Sequence, residues 1–457
     1  MAHHSDLAFG NALIRNTGFL LPRQSSPAAP GLGNLTSQPI SNTRTSRVRR
    51  ETTSLVRGET TTRIRNRTNA MRWTRKKKAE EHAAKPDPHE DGQRCFIIGA
   101  NYYVPENEVR SEEIERRAGF RVLGLRQGIL EEGTGVKSRR YCSADEHPST
   151  LATVAAQKLL EGSGMARKGV DALLFAANTM DETEPITAMR VHEALGLRAD
   201  AFVADIRDAC NSALKAMIIG AGLIRSGMVS NVLVAVGERL HDGIYLDIRS
   251  KSELVNRYLA GLTLGDAGAA VMLSARGSMR CFEIVHQTWE VDSSKRDLAR
   301  IEAGGTRCLT EPEKIYFVSN AKKLCQIALD KLPKLINKAG RQLGWDLSSI
   351  GFIPHQVSNG VIKAIARMCG VPMDNVMITL DRFGNTGAAT IPMALALALE
   401  NGFASTFRRI ILVGGAAGFS GAVLALERFS QMENLSQQLE QFSARFQQSN
   451  VSADLIS

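Results

Sequence analysis

The sequence has no apolar run long enough to cross a membrane, because its longest hydrophobic segments are broken by Gly, Arg or Ser after about a dozen residues. It also has no Cys-x-x-Cys pair, and its seven cysteines are an odd number, which argues against a disulfide framework and a structural zinc site. These absences predict a soluble protein of a reducing compartment, and we expect a cytoplasmic location. With 457 residues, 43% of them hydrophobic, the chain can bury one large core or two fused ones.

Net charge is nearly absent from most of the chain, although the formal net charge of the whole sequence is +10. Residues 1–92 contain sixteen Lys and Arg against eight Asp and Glu, so they carry +8 and the body from Gln93 onward carries about +2. The body therefore has no field that would indicate binding to DNA or RNA.

The two ends of the chain differ from the body. Residues 1–92 are rich in Ser, Thr, Asn, Arg and Pro and are predicted to form a disordered basic extension. Their composition resembles a transit peptide, but a flexible tail, or upstream sequence preceding a true start at Met71, is favoured. Residues 430–457 carry apolar side chains three and four apart, which predicts an amphipathic helical tail that packs on its own body rather than on a partner helix.

Between these ends, short apolar runs alternate with helical patterns. The runs are continuously apolar, which is typical of strands covered on both faces in an α/β fold. Residues 350–355 follow residues 172–177 by about 178 positions, and residues 410–414 follow 232–236 at the same offset. This indicates an internal duplication into halves at 93–277 and 278–429, with a site at their junction.

Cys210 lies between a predicted strand, Phe202–Ile206, and a helix over residues 213–224 that is apolar nearly all round. A thiol at such a junction faces the free N–H groups and the positive end of the helix dipole, which favour the thiolate. A lone cysteine is more often a small buried hydrophobe, so its assignment as a nucleophile depends on partners elsewhere in the chain.

Three other segments can supply these partners. His355 ends a predicted buried strand, where open α/β sheets place their sites, whereas the other four histidines of the body are expected in helices or polar loops. Asn385 lies between glycines, which let a backbone approach a ligand closely. The glycine-rich segment 414–421 follows the last long apolar strand and can aim N–H groups at an oxyanion.

These segments together resemble the β-ketoacyl-ACP synthase III branch of the thiolase-fold condensing enzymes. The resemblance rests on Asp-Ala-Cys at Cys210, His-Gln at His355, Phe-Gly-Asn-Thr-Gly-Ala-Ala-Thr-Ile-Pro around Asn385, Leu-Gly-Asp-Ala-Gly-Ala-Ala at 264–270 and Thr-Gly-Val-Lys-Ser-Arg-Arg at 134–140. It covers about residues 96–429 in the family's order. It implies a thiolase-like α/β fold, with two duplicated halves forming a layered αβαβα core, and a homodimer.

The resemblance also implies an acyltransferase whose substrates are coenzyme A or acyl-carrier-protein thioesters. Cys210 would take the acyl group, with its oxyanion stabilised by the N–H of Cys210 and an N–H near Ala417 and Gly418. His355 and Asn385 would donate hydrogen bonds to a malonyl-type thioester as it loses CO₂ and becomes the enolate that attacks the acyl-cysteine. No metal and no redox cofactor would be required.

Three departures from the family pattern point away from housekeeping fatty-acid initiation. Gly360 stands where relatives carry an arginine used for carrier-protein docking, and Ile129 stands roughly where they carry a tryptophan that stacks on coenzyme A. Residues 239–261 are longer than usual and can reshape the acyl pocket. We therefore expect a specialised condensing enzyme of fatty-acid-like or polyketide secondary metabolism.

Glu184 is a further departure. Its Glu-Pro sequence resembles condensing enzymes that join two long acyl-CoAs head to head, in which such a glutamate crosses the dimer interface as a base and no decarboxylation is needed. The alternative, slightly favoured, is that Glu184 is one of three acids in an exposed loop.

Two other functions remain open: transfer of the acyl group from Cys210 to an oxygen or nitrogen nucleophile, and a non-catalytic role as one partner of a heterodimer. A degradative thiolase is disfavoured because residues 414–421 contain no second cysteine, and a chalcone synthase because Gly-Phe-Gly-Pro-Gly is absent.

Overall fold

A computed structural model describes residues 93–278 and 281–429. The predicted extension at 1–92 and the predicted tail helix at 430–457 lie outside this part of the chain. The α-helices are α1 (Ser111–Arg117), α2 (Ile129–Thr134), α3 (Pro148–Ser163), α4 (Thr187–Leu195), α5 (Ser212–Arg225), α6 (Lys251–Glu253), α7 (Ala321–Leu343), α8 (Asn359–Met368), α9 (Leu380–Phe383) and α10 (Thr390–Glu400). The strands are β1 (Phe96–Tyr103), β2 (Asn107–Arg110), β3 (Ser138–Tyr141), β4 (Ala172–Ala176), β5 (Phe202–Ile206), β6 (Asn231–Glu238), β7 (Ala267–Ser274), β8 (Phe282–Val291), β9 (Ala299–Arg300), β10 (Val318–Ser319), β11 (Gly351–Pro354), β12 (Arg409–Ala416) and β13 (Ser420–Arg428).

Within the described residues, nine strands form one sheet in the order β11-β12-β13-β8-β1-β7-β6-β4-β5. In the first half β4 pairs parallel with β6, and β6 and β1 pair antiparallel with β7. In the second half β11 pairs parallel with β12, and β12 and β8 pair antiparallel with β13. The same pairing pattern occurs twice, which confirms the duplicated α/β fold. The two sets meet where β1 pairs with β8, and the predicted boundary at 277/278 falls between β7 and β8.

Alternate side chains of each strand enter different cores. On β6 Val234 packs in a central core while Leu233 packs in an outer one, and on β12 Leu412 and Ile411 divide in the same way. The central core also holds α5 and α10, one outer core holds α3 and α4, and the other outer core holds α7 and α8. The strands of the two halves therefore form two layers, one on each side of α5 and α10. From one outer face to the other the layers are helix, first-half strands, helix, second-half strands and helix. Strands covered on both faces explain why the runs were continuously apolar.

The strand at the start of the second half, β8, was not predicted from the sequence. His286, expected in a helix or polar loop, lies within β8, where it pairs with Ala425 of β13. This strand was missed because its second part, His-Gln-Thr-Trp-Glu, is polar and only partly buried rather than continuously apolar. Among the described helices, none combines the length and the apolar character needed to cross a lipid bilayer.

The first turn of α3 packs directly on two glycines of the sheet. A Cβ added at Gly268 would lie 2.1 Å from the carbonyl oxygen of Leu151, and one added at Gly237 would lie 1.8 Å from that of Pro148. Gly237 and Gly268 are themselves paired across β6 and β7. The helix can approach the sheet this closely only because both positions lack a side chain.

We expect Gly268→Ala to lower the free energy of unfolding by about 1–3 kcal/mol, because α3 must move away from the sheet to admit the methyl group. The midpoint of denaturant unfolding measures this change. Gly162→Ala is the matched control, since Gly162 lies in the same helix with nothing within 4 Å of an added Cβ. That control should be neutral or stabilising by up to about 1 kcal/mol. Equal midpoints for the two variants would contradict the close packing of α3.

Candidate active site

The loop that carries Cys210 is a strained turn between β5 and α5. Ala209 has a positive φ of 48°, a conformation that costs free energy for a residue with a side chain. The turn is held by the Asp208 N–H, which donates to Ser212 Oγ at 2.8 Å, and by the Ser212 hydroxyl, which donates to the Ala209 carbonyl at 2.7 Å. This turn places Cys210 two residues before Ser212, the first residue of α5, at the strand-to-helix junction that the sequence predicted.

The second half of the protein clamps this turn through Ser420, the first residue of β13. The Ser420 hydroxyl donates to Asp208 Oδ2 at 2.6 Å, and the side-chain amide of Asn211 donates to the Ser420 carbonyl. Asp208 and Asn211 flank Cys210 on both sides. The position of the thiol therefore depends on contacts between residues more than two hundred positions apart.

Burial decides the protonation state of Cys210. It raises the pKa of the thiol to about 12, and the carboxylates of Glu238 and Asp208 add to the effect. The N–H groups and the helix end at the start of α5 favour the thiolate, but burial of the sulfur outweighs them. Cys210 rests as a neutral thiol at neutral pH.

His355 lies at the carboxyl end of β11, as predicted, and is 7% exposed. Its backbone N–H donates to the Val413 carbonyl at 2.8 Å, while neither ring nitrogen has a hydrogen-bond partner among the described residues. Burial lowers the pKa of the imidazole to about 4, so the ring is neutral at pH 7. An unpartnered neutral imidazole can either accept or donate a proton in the cavity.

Asn385 lies in the loop between α9 and α10 and is tied to the other half of the protein. Its backbone N–H donates to the Thr263 carbonyl at 2.8 Å, and its carbonyl accepts from the Gly265 N–H at 3.0 Å. The side-chain oxygen accepts from the Gly387 N–H at 3.0 Å. This bond orients the amide so that its NH₂ group remains as a donor.

Cys210, His355 and Asn385 all line one cavity of about 1050 Å³. Ala417 of the glycine-rich turn lines it as well, whereas Gly418 does not and instead packs against the backbone of Arg296. The structure thus brings the three predicted catalytic side chains into one cavity. Of the two residues predicted to supply an N–H group to the oxyanion, Ala417 lines this cavity and Gly418 does not.

The walls of the cavity come from two apolar regions in different parts of the fold. One region contains Leu240 and Leu259, from the long segment 239–261, together with Phe317. The other contains Leu332 of α7 and Ile365 of α8. The long segment does contribute to the pocket, as the sequence predicted. The two regions belong to different apolar clusters of the protein.

The Gly-Asp-Ala-Gly motif holds the segment that forms the first of these walls, residues 239–261, in place. The buried carboxylate of Asp266 accepts hydrogen bonds from the N–H groups of Cys142, Leu240 and His241, and it also bonds to the His241 ring. These bonds anchor the start of segment 239–261 beside β3. The motif therefore acts as a structural anchor of the cavity.

The remaining sequence candidates lie away from the cavity lining. Glu184 is exposed and does not line the cavity of its own chain, although Asp181 of the same loop does. Gly360 is exposed on α8, with open space where an arginine side chain would begin. Ile129 is the first residue of α2 and is partly buried.

Sequence reasoning did not single out Glu238, the last residue of β6. Its carboxylate is fully buried and accepts hydrogen bonds from the N–H groups of Asn178, Thr179 and Ala388. A charged residue that ends a buried apolar strand was the available signal, since strand ends are where α/β sheets place their sites.

Two segments of the chain match the family described as 3-oxoacyl-[acyl-carrier-protein (ACP)] synthase III, at residues 204–293, and its C-terminal part, at residues 341–428. The chain is 29% identical to the β-ketoacyl-[acyl-carrier-protein] synthase III of Erythrobacter litoralis over 68% of this chain and 91% of that protein. It is 28% identical to the enzyme of the same name from Ruegeria over 73% of this chain and 99% of that protein.

Solved structures show the same fold. Xanthomonas campestris OleA with cerulenin bound matches with a TM-score of 0.66 and 24% identity, covering 75% of this chain and all of that one. FabH of Pseudomonas aeruginosa PAO1, a 3-oxoacyl-(acyl carrier protein) synthase III, matches with a TM-score of 0.64 and 24% identity, covering 74% of this chain and 99% of that one. The chain therefore resembles the 3-oxoacyl-[acyl-carrier-protein] synthase III family in sequence over these two segments, and it shares the fold of these solved structures.

Proposed function

We propose that this protein loads an acyl group from a thioester onto Cys210 and joins it to a second thioester by Claisen condensation. The observation that carries the proposal is that Cys210, His355 and Asn385, from three distant parts of the chain, line the same cavity. The cavity is walled largely by apolar side chains, which suits an acyl chain. Substrates on coenzyme A or acyl carrier protein, a cytoplasmic homodimer, and a pathway of fatty-acid or polyketide type complete the proposal.

In the first half-reaction Cys210 Sγ attacks the thioester carbonyl, and the bond between that carbon and the departing sulfur breaks. Because Cys210 rests as a thiol, its proton must leave as the new bond forms. The neutral ring of His355 can accept that proton and return it to the departing thiolate. The N–H groups of Cys210 and Ala417 are the proposed donors to the oxyanion.

In the second half-reaction the NH₂ group of Asn385 and an N–H of His355 donate hydrogen bonds to the carbonyl of the second thioester. They stabilise the enolate that forms when this substrate loses CO₂ or an α-proton. The enolate carbon attacks the acyl carbon, the bond to Cys210 Sγ breaks, and the released thiolate takes up a proton to restore the thiol. No metal or redox cofactor takes part in these steps.

A second acyl thioester is the other candidate for the nucleophilic substrate, in place of a malonyl group. The solved structures that resemble this chain include variants of Xanthomonas campestris OleA altered at one glutamate and at one cysteine. Those two positions are separated by the same number of residues as Glu184 and Cys210. This spacing favours the proposal that Glu184 of the partner subunit removes an α-proton, and the two apolar regions of the cavity are suited to two acyl chains.

The first experiment measures the two half-reactions separately in wild type and in Asn385→Ala. With acyl-CoAs of graded length, intact-protein mass spectrometry should show an acyl adduct on Cys210 that forms within about threefold of the wild-type rate in the variant. Carbon–carbon bond formation should fall by about 100-fold or more, because the enolate loses a donor. Equal losses in both half-reactions would contradict the enolate-stabilising role of Asn385, and absence of any adduct in wild type, with Cys210→Ala as the blank, would refute the acyl-cysteine.

The second experiment compares an acyl-CoA supplied alone with the same acyl-CoA supplied together with malonyl-CoA. If Glu184 is the base, wild type condenses the acyl-CoA with itself, and Glu184→Gln reduces this product by about 100-fold while leaving the Cys210 adduct intact. Glu182→Gln is the matched control, since Glu182 lies in the same loop and pairs with Arg190. Product formation only when malonyl-CoA is present would assign the decarboxylative reaction instead.

The raised pKa of Cys210 predicts how its reactivity depends on pH. Only the thiolate is alkylated, and a thiol with a pKa near 12 ionises progressively as the pH rises. The rate of iodoacetamide labelling of Cys210, followed by peptide mass spectrometry, should therefore increase by about tenfold per pH unit from pH 7 to 10 without a plateau. A plateau below about pH 8 would show a resting thiolate.

A further inference from the structure

Glu238 has a fully buried carboxyl group, and no Lys or Arg side chain in the described part of the chain forms an ion pair with it. It ends β6 behind the cavity wall and does not itself line the cavity. Burial raises the pKa of the carboxyl group to about 7, against the opposing effect of its hydrogen bonds. A buried carboxylate without a cation is costly, so its bonds to the surrounding loops must offset much of the loss of water.

The two oxygens of Glu238 hold two separate loops. Oε1 accepts from the N–H of Asn178 at 2.9 Å and from the N–H of Ala388 at 3.0 Å. Oε2 accepts from the N–H of Thr179 at 3.1 Å and from the Thr179 hydroxyl at 3.0 Å. Asn178 and Thr179 line the cavity, and Ala388 lies three residues after Asn385.

Gly387 links the bond between Ala388 and Glu238 to the side chain of Asn385. The Gly387 N–H donates to the side-chain oxygen of Asn385, and the next N–H along the backbone, that of Ala388, donates to Glu238. Gly387 has a positive φ of 57°, and a Cβ there would lie 2.9 Å from Glu238 Oε1. The turn that orients the Asn385 amide therefore bonds to the Glu238 carboxylate and packs closely against it.

We propose that Glu238 is a positioning residue for condensation: it sets the Asn385 turn and the Asn178–Thr179 loop at the distance that the second substrate requires. This inference rests on the proposed function. Three of the four groups that bond to Glu238 are backbone N–H donors, so only a side chain with two acceptor oxygens satisfies them all. Glutamine presents an NH₂ group to two of these donors and cannot replace it.

The proposal predicts that the two half-reactions respond differently to Glu238→Gln. Loading of Cys210 from myristoyl-CoA should stay within about threefold of wild type, because the Cys210 turn is held by Ser420 rather than by Glu238. Carbon–carbon bond formation should fall by about 30-fold or more, through kcat rather than KM, because Asn385 is displaced from the enolate. Intact-protein mass spectrometry measures the first rate and product analysis measures the second, with malonyl-CoA and without it.

Glu115→Gln is the matched control. Glu115 is also buried and accepts two backbone N–H bonds, from Gly128 and Leu130, both at 2.7 Å, but it lies outside the cavity lining. This variant should lower the melting temperature while leaving the ratio of the two rates at the wild-type value. A comparable change of that ratio in both variants would overturn the proposal.

Thr179 provides an independent pair of variants in case Glu238→Gln does not fold. Thr179→Val removes the hydroxyl that donates to Glu238, whereas Thr179→Ser keeps it. We expect the ratio of the condensation rate to the loading rate to fall by about fivefold or more in Thr179→Val and to be restored in Thr179→Ser. Equal condensation rates in the two variants would overturn the proposal.

The outcomes separate this inference from the function on which it rests. If wild type forms no acyl adduct, the proposed function fails. If wild type loads and condenses, and Glu238→Gln condenses within threefold of it, the proposed function stands and the positioning role of Glu238 is refuted. A parallel fall of both half-reactions in Glu238→Gln would likewise reduce Glu238 to a structural role.

Discussion

The contact between the two duplicated halves is the constraint on which the rest of this structure depends. Cys210 belongs to the first half, whereas His355, Asn385 and the glycine-rich turn belong to the second. Ser420 binds the residues on both sides of Cys210, and the backbone of Asn385 binds Thr263 and Gly265. These hydrogen bonds join loops of the two halves around one cavity. A shift between the halves would therefore separate the thiol from the other two side chains.

Burial is the dominant electrostatic effect at this junction. It holds Cys210 as a thiol and His355 as a neutral imidazole, and it raises the pKa of Glu238 towards neutrality. Because the pKa of Cys210 is raised and the pKa of His355 is lowered, the sulfur and the imidazole do not form an ion pair before substrate binds. Charge instead has to develop when the substrate arrives, in a site whose oriented N–H groups are already in place. The same lack of water that weakens the resting nucleophile strengthens each of those hydrogen bonds.

The apolar walls of the cavity come from segments other than those that carry Cys210, His355 and Asn385. Asp266 anchors the start of the long segment 239–261, whose apolar residues form one wall, while α7 and α8 form the other. Gly360 and Ile129 leave positions on the surface of α8 and in α2 without the arginine and tryptophan expected of housekeeping relatives.

Local pattern was sufficient to find β4, β6 and β7 as buried strands and α5 as a buried helix, because continuous apolar runs and their spacing report burial directly. It also singled out Cys210, His355 and Asn385, each of which follows a strand or lies between glycines, and the structure brings these three residues to one cavity. It failed for β8, whose polar second part hides the strand, and for Glu238, whose partners Asn178 and Ala388 are distant in sequence.

Tertiary structure alone decided three features of the site. They are the protonation state of Cys210, the hydrogen bonds from Ser420 to the Cys210 turn, and the position of Gly418 outside the cavity. Desolvation and hydrogen bonding depend on atoms that come together only when the two halves pack, and no local window of the sequence contains both partners.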